Sequence, residues 1–221
     1  MLESAVTFPE IERCMSFWYH MKGSSIGTLN VYTEGTGVAK AVQWTRSGAQ
    51  GDNWIEGTLD IPKFANLKIT FEGIRGSSWA GDIAIDSITL RPGTCANPVT
   101  PTPSPPTTTT MPATTPMPTT AIPTTTPSTT VVATPSTQAP TTQTPGPTGV
   151  QVCNFESNAA CFLNEDNSDD RDWTVRTGAT PSSGTGPSSA YEGTSYSFME
   201  MSSPVQNGDV ARLVSSSVLS A

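Results

Sequence analysis

This sequence is poor in the groups that chemistry usually needs. It holds a single histidine, His20, in 221 residues. A Ser/His/Asp or Cys/His relay requires a histidine beside a nucleophile, and His20 sits inside the aromatic run Ser16-Phe-Trp-Tyr-His-Met21, where a packing role is expected. No H-E-x-x-H, P-loop or dinucleotide fingerprint occurs, and Gly184-Thr-Gly186 reads as loop punctuation. Nothing singles out a carboxylate pair for glycoside hydrolysis. Basic residues are few: 11 Lys and Arg against 19 Asp and Glu give a net charge of −8. That balance excludes the basic patch a nucleic acid or an anionic membrane needs. No apolar run approaches the roughly 18 residues of a membrane-crossing helix. The first residues have neither the basic nor the apolar part of a signal peptide. There is no C-x-x-C pair, so a zinc ribbon or a thioredoxin-like centre is not indicated. No Asn-x-Ser/Thr sequon occurs. No window spaces its apolar residues as a helix does.

Charge is missing altogether between Ala96 and Val150, where positions 100–148 hold 21 Thr and 13 Pro. Such a stretch has too little apolar surface to offset the entropy of folding. It is expected to be a disordered, mucin-like linker with polyproline II character and Thr-linked O-glycans. The chain therefore divides into 1–95, the linker 96–150, and 151–221. The outer segments carry net charges of −2 and −6. Each is small enough to want a covalent staple. Four cysteines allow three connectivities. The linker separates them into two pairs, which favours Cys14–Cys95 and Cys153–Cys161. An even cysteine count beside a mucin-like tract implies an oxidising, extracellular compartment. Secreted chemistry without an export signal reads as a piece of a longer protein.

The first segment reads as strands. Leu67, Ile69 and Phe71 alternate with Lys68, Thr70 and Glu72, the period of a half-buried strand. Gly27-Thr-Leu-Asn-Val-Tyr32 and Gly81-Asp-Ile-Ala-Ile-Asp-Ser-Ile-Thr-Leu90 are further β-rich stretches, with Gly/Ser turns between them. In the second segment Phe155, Trp173, Val175, Tyr196, Phe198, Met199, Val210, Leu213 and Val214 are the expected core, and Ser195–Met201 the clearest strand pattern. Short strands at this spacing suggest an antiparallel sandwich.

Several motifs carry a resemblance. Cys14-Met-Ser-Phe-Trp-Tyr-His-Met21, Gly27-Thr-Leu-Asn-Val-Tyr32, Ser47-Gly-Ala-Gln-Gly-Asp-Asn-Trp54, Phe71-Glu-Gly-Ile-Arg-Gly-Ser-Ser78 and Gly81-Asp-Ile-Ala-Ile-Asp86 resemble the C-terminal half of a MAM domain, the module of meprins, a neuropilin-type antigen and receptor phosphatases. Cys153-Asn-Phe-Glu156, Asp169-Asp-Arg-Asp-Trp173, Thr180-Pro-Ser-Ser-Gly-Thr-Gly-Pro-Ser189 and Asp209-Val-Ala-Arg-Leu213 resemble the N-terminal half of one. The resemblance implies an all-β fold of jelly-roll-like antiparallel sandwich halves. It also implies the same cysteine pairing. Each half alone leaves sheet edges and an apolar face open. For the isolated chain the expectation is that the halves stay partly disordered or aggregate. The competing outcome is that they pair with each other as a circularly permuted module.

A structural calcium is the sharpest chemical expectation. Calcium gathers several oxygen ligands, mainly carboxylate and carbonyl. The resemblance implies a cation near the first and last strands of the module, which here would fall to Glu156, Asp170, Asp172 and Asp86. Asp82 shares a strand face with Asp86 but lies about 13 Å from it, at roughly 3.3 Å per residue, and is the weaker candidate. Among the tryptophans, Trp18 and Trp173 lie in strand patterns and read as core. Trp79, in a Gly/Ser loop, is the candidate binding contact. The functional expectation is a non-catalytic adhesion or interaction module on a glycosylated stalk, within a larger cell-surface or secreted protein. Its partners would be proteins at a cell surface or in matrix, homophilic pairing among them, with glycans as an option. The rivals are an accessory region of a meprin-like protease or receptor phosphatase, and a carbohydrate-binding module.

Overall fold

The computed structural model describes residues 10–96, 149–156, 161–202, 204 and 206–215. The linker falls almost wholly outside them. Among the described residues the regular elements are all strands: β1 (Arg13–Met21), β2 (Thr28–Gly35), β3 (Val38–Ser47), β4 (Ile55–Ile61), β5 (Lys68–Ile74), β6 (Ile83–Pro92), β7 (Gln151–Cys153), β8 (Leu163–Glu165), β9 (Thr174–Thr177), β10 (Ser195–Met199) and β11 (Val210–Ser215). Alternation explains the faces. On β1, Met15, Phe17, Tyr19 and Met21 turn into the sandwich core, while Ser16, Trp18 and His20 take the outer face. On β5, Ile69 and Phe71 do the same. Gly57 on β4 leaves room for Phe17: a Cβ there would come within 2.5 Å of the ring. Phe17 in turn meets Phe71 and Trp44 edge-on, each at 5.0 Å between centroids.

The strands form two antiparallel sheets. One runs β4-β1-β6-β10-β9, with β7 also on β6; the other runs β3-β2-β5-β11-β8. Each sheet is built from both segments. The first segment supplies the three-stranded pieces β4-β1-β6 and β3-β2-β5, each with one edge open at β6 and β5. The second segment closes those edges: Phe198 pairs with Ala84 and Cys153 with Ile88 on β6, and Leu213 with Phe71 on β5. The expectation of unpaired halves is thus corrected, and the permuted pairing is what forms. The physical reason is that both open edges find partners within one chain. Closing a long flexible loop adds only about 0.6 kcal/mol per doubling of its length, which a full set of ladder hydrogen bonds outweighs.

The pairing also fixes the ends of the linker. β6 and β7 are antiparallel neighbours, and Leu90 faces Gln151. The described residues on either side of the Thr/Pro stretch therefore lie at one place on the sandwich. Cys14 is joined to Cys95 and Cys153 to Cys161.

Several core assignments shift. Val175 is 57 % exposed, because β9 is the outermost strand of its sheet. Val210 and Val214 are half-buried, and Ala211 takes the inward position between Val210 and Leu213. Tyr196 and Phe198 are buried, but with Ala84 in a second cluster on the outer face of the six-stranded sheet. Trp173 does enter the main core. Trp18 does not: it is half-buried on the outer face, with its ring stacked on Tyr191 at 3.7 Å.

Candidate functional site

The outer face of the six-stranded sheet is the most elaborated surface. Chain 178–194 lies across it. Trp54 Nε1 donates to the Ser189 carbonyl at 3.0 Å, and Trp54 meets His20 and Tyr196 edge-on. Tyr191 covers Trp18. His20 is buried, 3.5 Å from Asp52 through Nε2. Burial lowers its basicity, and Asp52 opposes that only in part. Its place under Trp54 is a packing position, and all four cysteines are in disulfides.

Two of the four expected calcium ligands sit at this face. Asp86 is fully buried at the point where β6 changes partner. On one side β6 pairs with β1 throughout, with a register shift opposite Ser16 and Trp18. On the other side it pairs with β10 through Ile85 and with β7 from Ile88. Ser87, between them, has φ +46°. The Asp86 carboxylate receives the amides of Ser87 (2.7 Å), Tyr191 (2.9 Å) and Glu192 (3.2 Å). Burial nevertheless pushes its pKa up to about 6, those amides pulling the other way and the charge of Glu156 adding to the rise. Glu156 accepts the amides of Thr194 (2.7 Å) and Ser195 (2.8 Å) and the Thr194 hydroxyl (2.8 Å). These bonds hold its carboxyl below the usual range. Gly193 makes this approach possible: a Cβ there would come within 2.5 Å of Glu156 Oε1.

The other two lie elsewhere. Asp170 accepts the Val210 amide at 3.1 Å, and its neighbour Asp169 accepts the Arg212 amide at 2.6 Å. Both cap β11 amides beyond the short reach of β8, which pairs only with Leu213–Ser215. Asp172 is exposed, close enough to Glu165 to add to a rise caused mainly by burial, which takes Glu165 to about 7. Arg171 is paired with Asp209 at 3.0 Å. Trp79, in the β5–β6 loop, is 51 % exposed.

Comparison with known proteins bears on these features. A family model described as MAM domain, meprin/A5/mu, matches residues 1–96 and 153–221. The chain belongs to the MAM domain family. Similar proteins include MAM domain-containing glycosylphosphatidylinositol anchor protein 2 of Mus musculus, 42 % identical over 91 residues, which are 40 % of this chain and 10 % of that protein. Protein 1 of the same name in Homo sapiens is 42 % identical over 84 residues, 37 % of this chain and 9 % of that protein. Thyroid hormone-induced protein B of Xenopus laevis is 38 % identical over 95 residues, 42 % of this chain and 14 % of that protein. The chain thus spans about a tenth of the length of these relatives. No solved structure gives a significant match. The two disulfides of this MAM sandwich belong to an extracellular or cell-surface protein.

The calcium set implied by the MAM resemblance does not gather here. Asp86 and Glu156 are neighbours, Asp86 accepting three backbone amides and Glu156 two amides and the Thr194 hydroxyl. Asp170 and Asp172 stand at the β11 side. Among the described residues, the one group of three candidate ligands with atoms within 4.8 Å of one another is Cys14, Asp60 and Cys95. Its two sulfurs are bonded to each other, so neither is the thiolate a metal needs.

Proposed function

We propose that this chain is a non-catalytic binding module that works in adhesion or protein–protein interaction outside the cell, and that its Thr/Pro segment is O-glycosylated. The observation that carries this reading is the MAM match on a chain whose one histidine is packed under Trp54 and whose four cysteines are all in disulfides. The names of similar proteins, which describe membrane-anchored MAM proteins, support a surface setting. The antiparallel β6–β7 pairing shapes the proposal further: the chain on either side of the glycosylated segment meets at Leu90 and Gln151, and binding would use the surface away from that place.

The test is a bead-aggregation assay with the purified, glycosylated chain, run beside binding to whole cells. Self-aggregation of coated beads supports a homophilic module, and saturable cell binding without it supports a heterophilic one. Absence of both removes the adhesion reading. Exposed Trp79 favours a second reading, a carbohydrate-binding module, since an aromatic face can stack on a sugar ring. Retention on a glycan array, lost in Trp79→Ala, would establish it. No retention on any glycan would dismiss it.

A further inference from the structure

The two sheets end at β3 and β4 on one side and at β8 and β9 on the other. On the first side Trp44 fills the space between them, edge-on to Phe17 and Tyr19 at 5.0 Å. On the second side a cavity of about 410 Å³ opens between the sheets, within the range of about 300–1,000 Å³ that small ligands occupy. Register sets what faces into it. Tyr196 and Phe198 take the outer face of β10, so Ser197 between them points inward. Val175 pairs with Ser197 and shares that face. It points into the sandwich and is still 57 % exposed, because the space before it is open. On the other wall Glu165 pairs with Leu213, a core residue, and so points inward as well. Phe155 adds to the apolar lining. It is held at φ +58°, a conformation rare for a bulky residue, and strain of this kind collects where ligands are clamped.

Glu165 is the charged group of this wall. A carboxylate among apolar side chains needs a partner. Its Oε2 accepts the Trp173 amide at 3.2 Å. Among the described residues no Lys or Arg pairs with it, and the charges that reach it, Asp172 and Asp169, have its own sign. Burial pushes its pKa up to about 7, against the pull of that amide. No basic residue lines the cavity, and its second carboxylate is Glu156.

We propose that this cavity receives a lysine side chain of a partner protein, with its methylene stem against Val175, Leu213 and Phe155 and its ammonium on Glu165. The walls and the charge match such a group: a long side chain buries an apolar stem while its charged head finds an acid. Lysine fits better than arginine. The planar fork of arginine is matched to both oxygens of a carboxylate, and here one of them already takes an amide. An ammonium is a point charge with three donors, which Glu165 and the Ser197 hydroxyl oxygen can share. The cavity also lies on the surface that the interaction reading favours. Val175 stands opposite Ser197 and Ser197 opposite Ile85, about 17 Å along β6 from Leu90 at roughly 3.3 Å per residue. That the lysine belongs to a protein rests on the interaction reading; the acid and its apolar walls do not.

The test titrates the full chain, its Val and Leu methyls isotopically labelled, with the blocked tripeptide Gly-Lys-Gly at pH 8, followed by NMR. Two further peptides replace the lysine by norleucine, which keeps the stem without the charge, or by diaminopropionate, which keeps the charge without the stem. The lysine peptide is expected to shift the Val175 and Leu213 methyls saturably, and the other two to bind about tenfold more weakly, the loss of one charge-assisted bond or of the stem's burial. Glu165→Gln keeps the shape of the side chain and should bring the lysine peptide down to the norleucine level. Val175→Ala, at an exposed position where the fold should hold, weakens the lysine and norleucine peptides alike. Three results overturn the proposal: no methyl shift with the lysine peptide, equal binding of the lysine and norleucine peptides, or undiminished lysine-peptide binding in Glu165→Gln. The two readings fail separately. A chain that binds the peptide but neither self-aggregates on beads nor binds cells keeps the lysine site and loses the adhesion reading, and a chain that binds cells but ignores the peptide does the reverse.

Discussion

Glu72 and Arg212 offer a direct test of the pairing between the two segments. They are opposed in the β5–β11 register, 140 positions apart in sequence, with Arg212 Nε 2.7 Å from Glu72 Oε2. Tyr32 Oη donates to Glu72 Oε1 at 2.8 Å, and Asn30 Nδ2 reaches it at 3.3 Å. Glu72 is buried. Breaking a fully buried ion pair costs about 3–5 kcal/mol, and a hydrogen bond to a charged group is worth about 1.5–3 kcal/mol. Arg212 retains 27 % of its side-chain exposure, so the lower range applies. A double-mutant cycle of Glu72→Gln and Arg212→Met should give a coupling of about 2 kcal/mol. Urea unfolding followed by tryptophan fluorescence reads it. The pH dependence supplies an internal check. Burial works to raise the Glu72 carboxyl, but Arg212, Tyr32 and Asn30 outweigh it and hold its pKa below the ordinary value of 4.5. A depressed folded pKa gives stability that is present above the unfolded value and lost as pH falls through the folded one. The coupling should therefore persist at pH 7 and fade well below pH 4.5. Zero coupling at pH 7 would refute the argument, because it would mean that the segments do not meet in this register.

Replacing Cys14 and Cys95 by alanine should cost more than replacing Cys153 and Cys161. Their sequence separations are 81 and 8, which in a chain-entropy account correspond to about 4.5 and about 2.5 kcal/mol; reversal of that order in chemical denaturation would count against it. Gly57→Ala places a methyl against the buried Phe17 ring and should lower stability by about 2 kcal/mol, and an unchanged urea midpoint would show that β4 is not seated on β1 as described. In chelator, stability should rise as pH is lowered from 7.5 towards 5. Burial raises Asp82 and Asp86 to about 6 and Glu165 to about 7, so across that window the folded chain holds protons that the unfolded chain has released. A flat or falling midpoint over the same range would show that these carboxyls are not buried as charges.

The inward faces were legible in the sequence because a period of two is local information. Ile69 and Phe71 against Lys68, Thr70 and Glu72 could be read directly. β4 shows why the reading stops. Its pattern Ile55, Gly57, Leu59, Ile61 is as regular, but the glycine breaks the apolar series, and its reason lies across the sheet in Phe17. β3 is mostly exposed, so only Trp44 marks its inward side. In the second segment, β7 and β8 have three residues each, too few for any period. Trp18 misled because an aromatic residue in a strand pattern can fill either face. Here the outer face is covered by chain far away in sequence, at Tyr191.

The carboxylates show the same limit in chemical form. Asp86 and Asp82 look alike in sequence: both are acids four positions apart in one β-rich stretch, with Asp86 preferred as a ligand. Their difference arises only from what β6 meets on its free side. Asp86 stands where β10 gives way to β7, and the gap in the ladder exposes the Tyr191 and Glu192 amides, which its oxygens take. Asp82 stands just before β6, beyond the last β10 pair at Ile83 and Met199, where its carboxylate takes the Met201 amide. The Asp86 carboxylate is held by three backbone amides, and that of Asp82 by the Met201 amide. The two acids differ because register, which sequence periodicity does not specify, decides which backbone groups stand beside each of them.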